Sequence, residues 1–166
     1  MKHRSGFTIV ELLVVIAMII IISTLVVANL SSGQVKARDE ERKNDVANIA
    51  SYLEIYYNQN GSYPGRNKAN NLNSFLSVIP DIDLSNLKAP GFVEANNAMS
   101  LKNATNDTQT TAGVAPQPQN NTYVYQAIDD SGTCNNSNPN NSCRKFIIYY
   151  KLEATGEIIA LKSKNQ

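Results

Sequence analysis

The sequence predicts an α+β protein in which one long N-terminal helix packs against a small antiparallel sheet of three to four strands. Three observations predict it. Residues 7–30 are mostly apolar and hold a single ionisable side chain, Glu11. Beyond Gly33, the residues Val46, Ile49, Ala50, Leu53 and Tyr57 recur at helical spacing and form one apolar stripe. Near the C-terminus the runs TYVYQAI, RKFIIYYKL and EIIALK have the composition and alternation of strands.

The apolar segment comes first. A helix needs about 20 mostly apolar residues to cross the hydrocarbon of a bilayer, so residues 7–30 are long enough to span. The leader before them carries Lys2, His3 and Arg4, which orients such a span with its N-terminus in the cytoplasm. A cleaved secretory signal, with Val26-Val27-Ala28 as its site, requires a shorter apolar core than this one. A plain anchor leaves Glu11 unexplained, because an acid in a membrane helix costs on the order of 3 kcal/mol or more. Arg4 lies on the water side and Lys36 several turns away, so the expected partner of Glu11 comes from elsewhere. If the chain were cut after Gly6, the new amine on Phe7 could pair with Glu11 of a neighbouring copy. Glycine before the cut suits a peptidase that must thread extended backbone.

Two cysteines, Cys134 and Cys143, bound the stretch CNNSNPNNSC. Zinc needs more ligands than this, and the sole histidine, His3, is at the far end of the chain. The pair reads as a disulfide closing a short loop, which implies an oxidising compartment; two free thiols in a reduced protein are the alternative.

The stretch RSGFTIVELLVVIAMI resembles the class III signal region of type IV pilins and the related pseudopilins. The resemblance implies that Gly6 is the last leader residue, Phe7 the N-methylated first residue of the mature subunit, and Glu11 its acid at the fifth position. It further implies a structural subunit of a type IV pilus rather than an enzyme. Such a subunit is made as a prepilin in the cytoplasmic membrane and polymerised into an extracellular filament by burying Ile9, Val10, residues 12–22 and residues 25–27 against other stems. The implied partners are other copies of the chain, minor pilins, the prepilin peptidase, and the assembly platform and its ATPase. Many members have proline where this chain has Ala28, and often glycine where it has Ile20; those residues favour local melting of the helix. Here the weak point is expected at Ser31-Ser32-Gly33. A second stretch, YLEIYYNQNGSYPG, resembles the helix exit of the major pseudopilins of type II secretion, so a secretion pseudopilin is the alternative. A monomeric anchored ectodomain that binds a ligand is a third reading. The resulting organisation is a leader over 1–6, a membrane or filament-core helix over 7–30, its amphipathic continuation over 31–60, and a globular head over 61–166.

Opposite the apolar stripe of the second helix half lies a charged face, expected to be solvated, on which Asp39 and Lys43 are four apart in the favourable order. Asn60-Gly61 ends the helix and Pro64 prevents its return, giving a helix of about 75 Å at roughly 1.5 Å per residue. In the polar region that follows, Phe75, Leu76 and Ile79 are expected in a short packed helix, whereas KNATNDTQTTAGVAPQPQNN reads as an exposed loop. The triplet Asn103-Ala104-Thr105 is a weak glycosylation signal. Ala154-Thr155-Gly156 joins the last two strands in a hairpin. In the central strand Phe146, Ile148, Tyr150 and Leu152 alternate with Ile147, Tyr149 and Lys151, so one face meets the helix and the other is expected to be wetter. By resemblance this is the pilin arrangement, and the Cys134–Cys143 loop is its disulfide-bounded region.

Fifteen basic against fourteen acidic residues leave no charge excess that would indicate nucleic acid. Asp81, Asp83 and Ser85 have alternate spacing and Asp129-Asp130 lie near a turn, but the glycine and terminal glutamate of a calcium loop are missing. These aspartates are expected to form turns, and no metal, cofactor or catalytic residue is assigned.

Overall fold

The fold was obtained as a computed structural model, which describes residues 7–93, 95–130, 132–134 and 142–164; for residues 25–31 only the backbone is described. Gly6 lies outside the described residues, as do the interior of the Cys134–Cys143 loop with Pro139 and the side chain of Ala28. The chain divides into two compact units, Met1–Ala37 and Arg38–Gln166.

Helix α1 runs Ile9–Asn60 and contributes to both units. It is helical through Ser31-Ser32-Gly33, where a weak point was expected. Its end follows from Gly61, whose φ of 71° is open to a residue without Cβ and whose N–H donates to the Tyr57 carbonyl at 2.7 Å. The chain then turns back through Tyr63, which is fully buried, stacks on Tyr57 at 4.5 Å and meets the Phe146 ring edge-on at 4.8 Å.

The second unit is built on a five-stranded mixed sheet: β1 (Leu101–Asn103), β2 (Tyr123–Asp129), β3 (Gly132–Thr133), β4 (Lys145–Lys151) and β5 (Ile158–Lys162). The order is β1-β2-β4-β5, with β3 folded back on the end of β2. The three expected strands are β2, β4 and β5, antiparallel to one another with Tyr125 opposite Ile148 and Tyr149 opposite Ala160. The sheet is not purely antiparallel, because β1 lies parallel to β2 with Lys102 opposite Val124. That short strand is hidden in a polar stretch with only Leu101 to mark it. The expected hairpin between β4 and β5 is present, closed by Leu152 N–H to the Glu157 carbonyl at 2.8 Å.

The main core joins the α1 stripe to one face of the sheet. Val46, Ile49 and Leu53 of α1 are fully buried against Tyr123 and Tyr125 of β2 and Phe146, Ile148 and Tyr150 of β4. Burying each such aliphatic or aromatic side chain contributes roughly 1.5–3 kcal/mol. Helix α2 (Leu72–Leu76) closes one edge; Asn71 caps it by accepting from Ser74 N–H at 3.0 Å, and Phe75 is buried. Asp83 likewise caps the 3-10 turn Leu84–Leu87 by accepting from Ser85 N–H at 2.9 Å, the turn-forming role expected of it.

The other face of the sheet is drier than its alternation suggests. Val124, Ile128, Ile147 and Tyr149 are buried beneath Ala104 and Val114 in a second, smaller core. The segment read as an exposed loop therefore covers the sheet, and polar side chains knit it in place. Asn106 donates to the Gly113 carbonyl at 2.8 Å and accepts from Ala115 N–H at 2.9 Å, while buried Gln126 donates to the Asn106 carbonyl and accepts from the Tyr149 hydroxyl. The Asn103 amide donates both of its hydrogens, to the Arg66 and Ala69 carbonyls at 2.9 Å, which removes it as a free glycan acceptor. Cys134 and Cys143 are joined in a disulfide and fully buried.

Candidate assembly site on the N-terminal helix

Thr8-Ile9-Val10-Glu11 opens α1 as a capping box. The backbone N–H and the hydroxyl of Thr8 each donate to Glu11 Oε2 at 2.9 Å, and Glu11 N–H donates to Thr8 Oγ1 at 3.2 Å. Glu11 thus has hydrogen-bond partners within its own turn, beside the charge partner expected from elsewhere. Those donors are neutral, and among the described residues no cation pairs with it. The signal was in the sequence, since Thr-x-x-Glu before an apolar run is a capping-box pattern.

From residue 7 to residue 22 every large apolar side chain is exposed in the single chain, from Phe7 at 77% and Ile9 at 80% to Ile22 at 61%. No face of this stretch is covered by its own fold. Its few hydroxyls are turned inward along the helix: Ser23 Oγ donates to the Ile19 carbonyl at 2.7 Å and Thr24 Oγ1 to the Ile21 carbonyl at 2.8 Å, so neither presents a free donor to apolar surroundings. Among the described residues no helix segment is long and apolar enough to cross a membrane. The expected span 7–30 runs into residues 25–31, whose side chains lie outside that description, so spanning rests on the sequence.

Further along α1 the charged face is not simply solvated. Arg42 is 1% exposed and Asp39 is buried with it. Arg42 Nη1 donates to Asp39 at 2.8 Å, its Nη2 to Glu153 at 2.9 Å and its Nε to the Asn120 carbonyl at 2.7 Å. Arg38 adds a two-pronged contact to Glu153 at 2.6 and 2.9 Å. Asp39 in turn accepts from the N–H groups of Glu153 and Ala154 at 2.7 and 3.0 Å, fastening the β4–β5 turn to the helix. The expected Asp39–Lys43 pair does not form; Lys43 reaches Glu40 instead, at an exposed 3.4 Å. Hydrogen bonds from Arg38 and then Arg42 hold the Glu153 carboxyl down at about 2. Burial acts to raise Asp39, but the two backbone donors and Arg42 outweigh it and leave it below the usual carboxylate range.

One turn on, Asp45 is 7% exposed and accepts from the Tyr123 hydroxyl at 2.7 Å. Burial raises its pKa to about 6 against the pull of that hydrogen bond, with Glu41 and Asp83 adding like charge. The folded state therefore binds a proton more tightly than the unfolded chain, and this group's contribution to stability falls as pH rises from about 4 through 6. Asp45→Asn is expected to leave stability little changed at pH 4 and to raise it by about 1–2 kcal/mol at pH 7.5. Urea unfolding of both proteins at the two pH values measures the difference; a gain that is equal at both would show that the carboxylate is not strained by burial.

Among the described residues no three or more His, Cys, Asp or Glu side chains gather closely enough to hold a metal ion. What the molecule offers is an uncovered apolar helix that begins at a capped acid, carried on a separate sheet-and-helix head. Residues 1–27 match the prokaryotic N-terminal methylation motif. The type II secretion system core protein G of Aeromonas hydrophila is 35% identical over 63 residues, 38% of this chain and 44% of that protein. The protein of the same name from Dickeya chrysanthemi is 33% identical over 63 residues, 38% and 41% respectively. That of Vibrio cholerae serotype O1 is 23% identical over 133 residues, 80% of this chain and 77% of its own. The match thus spans less than half the length of the first two relatives. No solved structure matches the chain. The chain is thus similar to members of the type IV pilin and pseudopilin superfamily through its methylation motif and its likeness to the secretion core proteins.

Proposed function

We propose that the chain is a pseudopilin of a type II secretion system: a structural subunit inserted in the cytoplasmic membrane by residues 7–30, cut after Gly6, N-methylated at Phe7 and polymerised into a short periplasmic filament. The observation that carries this reading is the likeness to the Vibrio cholerae core protein G, which extends over 80% of the chain and so into the head, beyond the motif that all such subunits share. It reverses the order of the two sequence-based expectations, in which the pilus subunit came first. The chemistry of assembly is the same in both. Uncovered side chains of residues 9–22 leave lipid to pack against one another, and Glu11 meets the Phe7 amine of a neighbour. The prepilin peptidase, the platform protein and the ATPase are the partners this role requires.

The disulfide favours one competing reading, a surface-exposed type IV pilus subunit. Deleting the gene in the native host separates the two. Exoproteins stranded in the periplasm with surface pili intact would support the pseudopilin, and lost pili with normal secretion would establish the pilus subunit. Intact mass of the purified filament protein tests processing: a chain starting at methylated Phe7 is expected, whereas an Asn29 start would mean a secreted soluble domain.

A further inference from the structure

The sheet face turned away from α1 carries a cleft of about 120 Å³ lined by Gln109, Ile128, Lys145, Phe146, Ile147, Lys162 and Ser163. Its position follows from the register. Lys162 of β5 lies opposite Ile147 of β4, and Lys145 precedes Ile147 by two residues on the same face, so the two lysines are diagonal neighbours roughly 7–8 Å apart at the backbone. Both are exposed, and among the described residues neither ammonium group makes an ion pair or hydrogen bond. The Gln109 amide at the rim is likewise uncommitted. The nearby Asp107 carboxylate is occupied by Thr133 N–H at 2.8 Å.

Two like charges at diagonal positions on one sheet face repel, and an anion between them relieves the repulsion. The side chains that floor the cleft, Ile128 and Ile147, are apolar, whereas the Phe146 ring lies in the core on the α1 side of the sheet. Such a site suits a carboxylate on a short aliphatic stem better than a fully hydrated inorganic ion, and its volume admits a side chain rather than a nucleotide. We infer that the Lys145–Lys162 cleft is a docking site for an acidic side chain in a segment of a partner protein, with the two ammonium groups and the Gln109 amide holding the carboxylate and Ile128 and Ile147 covering its methylene groups. The site lies opposite the face that packs on α1 and does not use the N-terminal stem.

The full chain in neutral detergent micelles, titrated into fluorescein-labelled hexaglutamate at low salt and followed by anisotropy, tests the inference. Saturable binding is expected, weakened about tenfold in Lys145→Ala/Lys162→Ala and restored by Lys145→Arg/Lys162→Arg. The double variant Lys36→Ala/Lys68→Ala, which removes the same charge elsewhere, should weaken it less than twofold. Glutarate should displace the peptide at lower concentration than inorganic phosphate. Absence of saturable binding, equal loss in both alanine variants, or stronger displacement by phosphate than by glutarate would each overturn the assignment, the last by identifying a free oxyanion site. Both lysines are solvent-exposed, so thermal unfolding of the alanine variant should match that of the parent; a variant that unfolds early would be replaced by Lys145→Gln/Lys162→Gln for the same comparison.

Discussion

Glu11→Ala is expected to reduce filaments more than about tenfold while the protein remains in the membrane, the factor that roughly 1.4 kcal/mol of lost association per subunit supplies. The structure makes the experiment sharper, because Glu11 does two things that substitutions can separate. It accepts two hydrogen bonds from Thr8, which fixes the start of α1, and it carries a charge that no described residue neutralises. Glu11→Gln keeps an oxygen for Thr8 and removes the charge; Thr8→Val removes the hydroxyl and keeps the charge. If assembly rests on the Phe7 amine of a neighbour, Glu11→Gln should fail as fully as Glu11→Ala, and Thr8→Val should assemble with a loss of no more than a few-fold. Counting filaments by electron microscopy in the three variants decides it. Normal assembly of Glu11→Gln would mean that the residue acts through the cap and not through its charge.

Arg42→Ala is expected to destabilise the head by about 3–5 kcal/mol, the usual cost of removing one partner from a buried charge cluster. The guanidinium, 1% exposed, holds Asp39, Glu153 and the Asn120 carbonyl, so its loss takes from buried Asp39 the only cation that pairs with it among the described residues, leaves Glu153 to Arg38 alone and frees a carbonyl. Lys43→Ala, one residue along, should cost less than about 1 kcal/mol, because its pair with Glu40 is exposed. Urea denaturation at pH 7 gives both values; a cost below about 1 kcal/mol for Arg42→Ala would show that water replaces the cluster without penalty. The cluster also has a pH signature. Asp39 and Glu153 are held below their unfolded values, so the stability they contribute is complete above about pH 4.5 and is lost as pH falls toward 2. Asp45 has the opposite sign, its contribution falling as pH rises through about 6.

The repeating patterns were legible in the sequence: the α1 stripe, the stop at Gly61 and the β4–β5 hairpin all arise from residues close together in the chain. The charged cluster was not, because the partners of Arg38, Asp39 and Arg42 lie at Asn120, Glu153 and Ala154, and no local spacing announces a contact across more than seventy residues. Arg42 on an otherwise polar helix face looks no different from Lys43. The second core was missed for a related reason. Ala104 and Val114 are small, isolated apolar residues in a polar run, and what seats them over the sheet is the side chain of Asn106 acting in place of a strand partner. At the candidate site, the glycine, phenylalanine and acid were read by resemblance, while the capping role of Thr8 was readable from spacing and overlooked.

The carbonyls of Cys134 and Cys143 accept from Arg66 and Tyr63 N–H at 3.1 and 2.8 Å, so both ends of the disulfide are tied to the segment leaving α1, with their Cα atoms 5.5 Å apart. The ends of the enclosed chain are therefore set by the head and not by what lies between them. Because doubling the length of a closed loop costs only about 0.6 kcal/mol, foreign peptide spliced between the cysteines should leave the scaffold intact. In a polymer of such subunits an insertion there would recur once per copy.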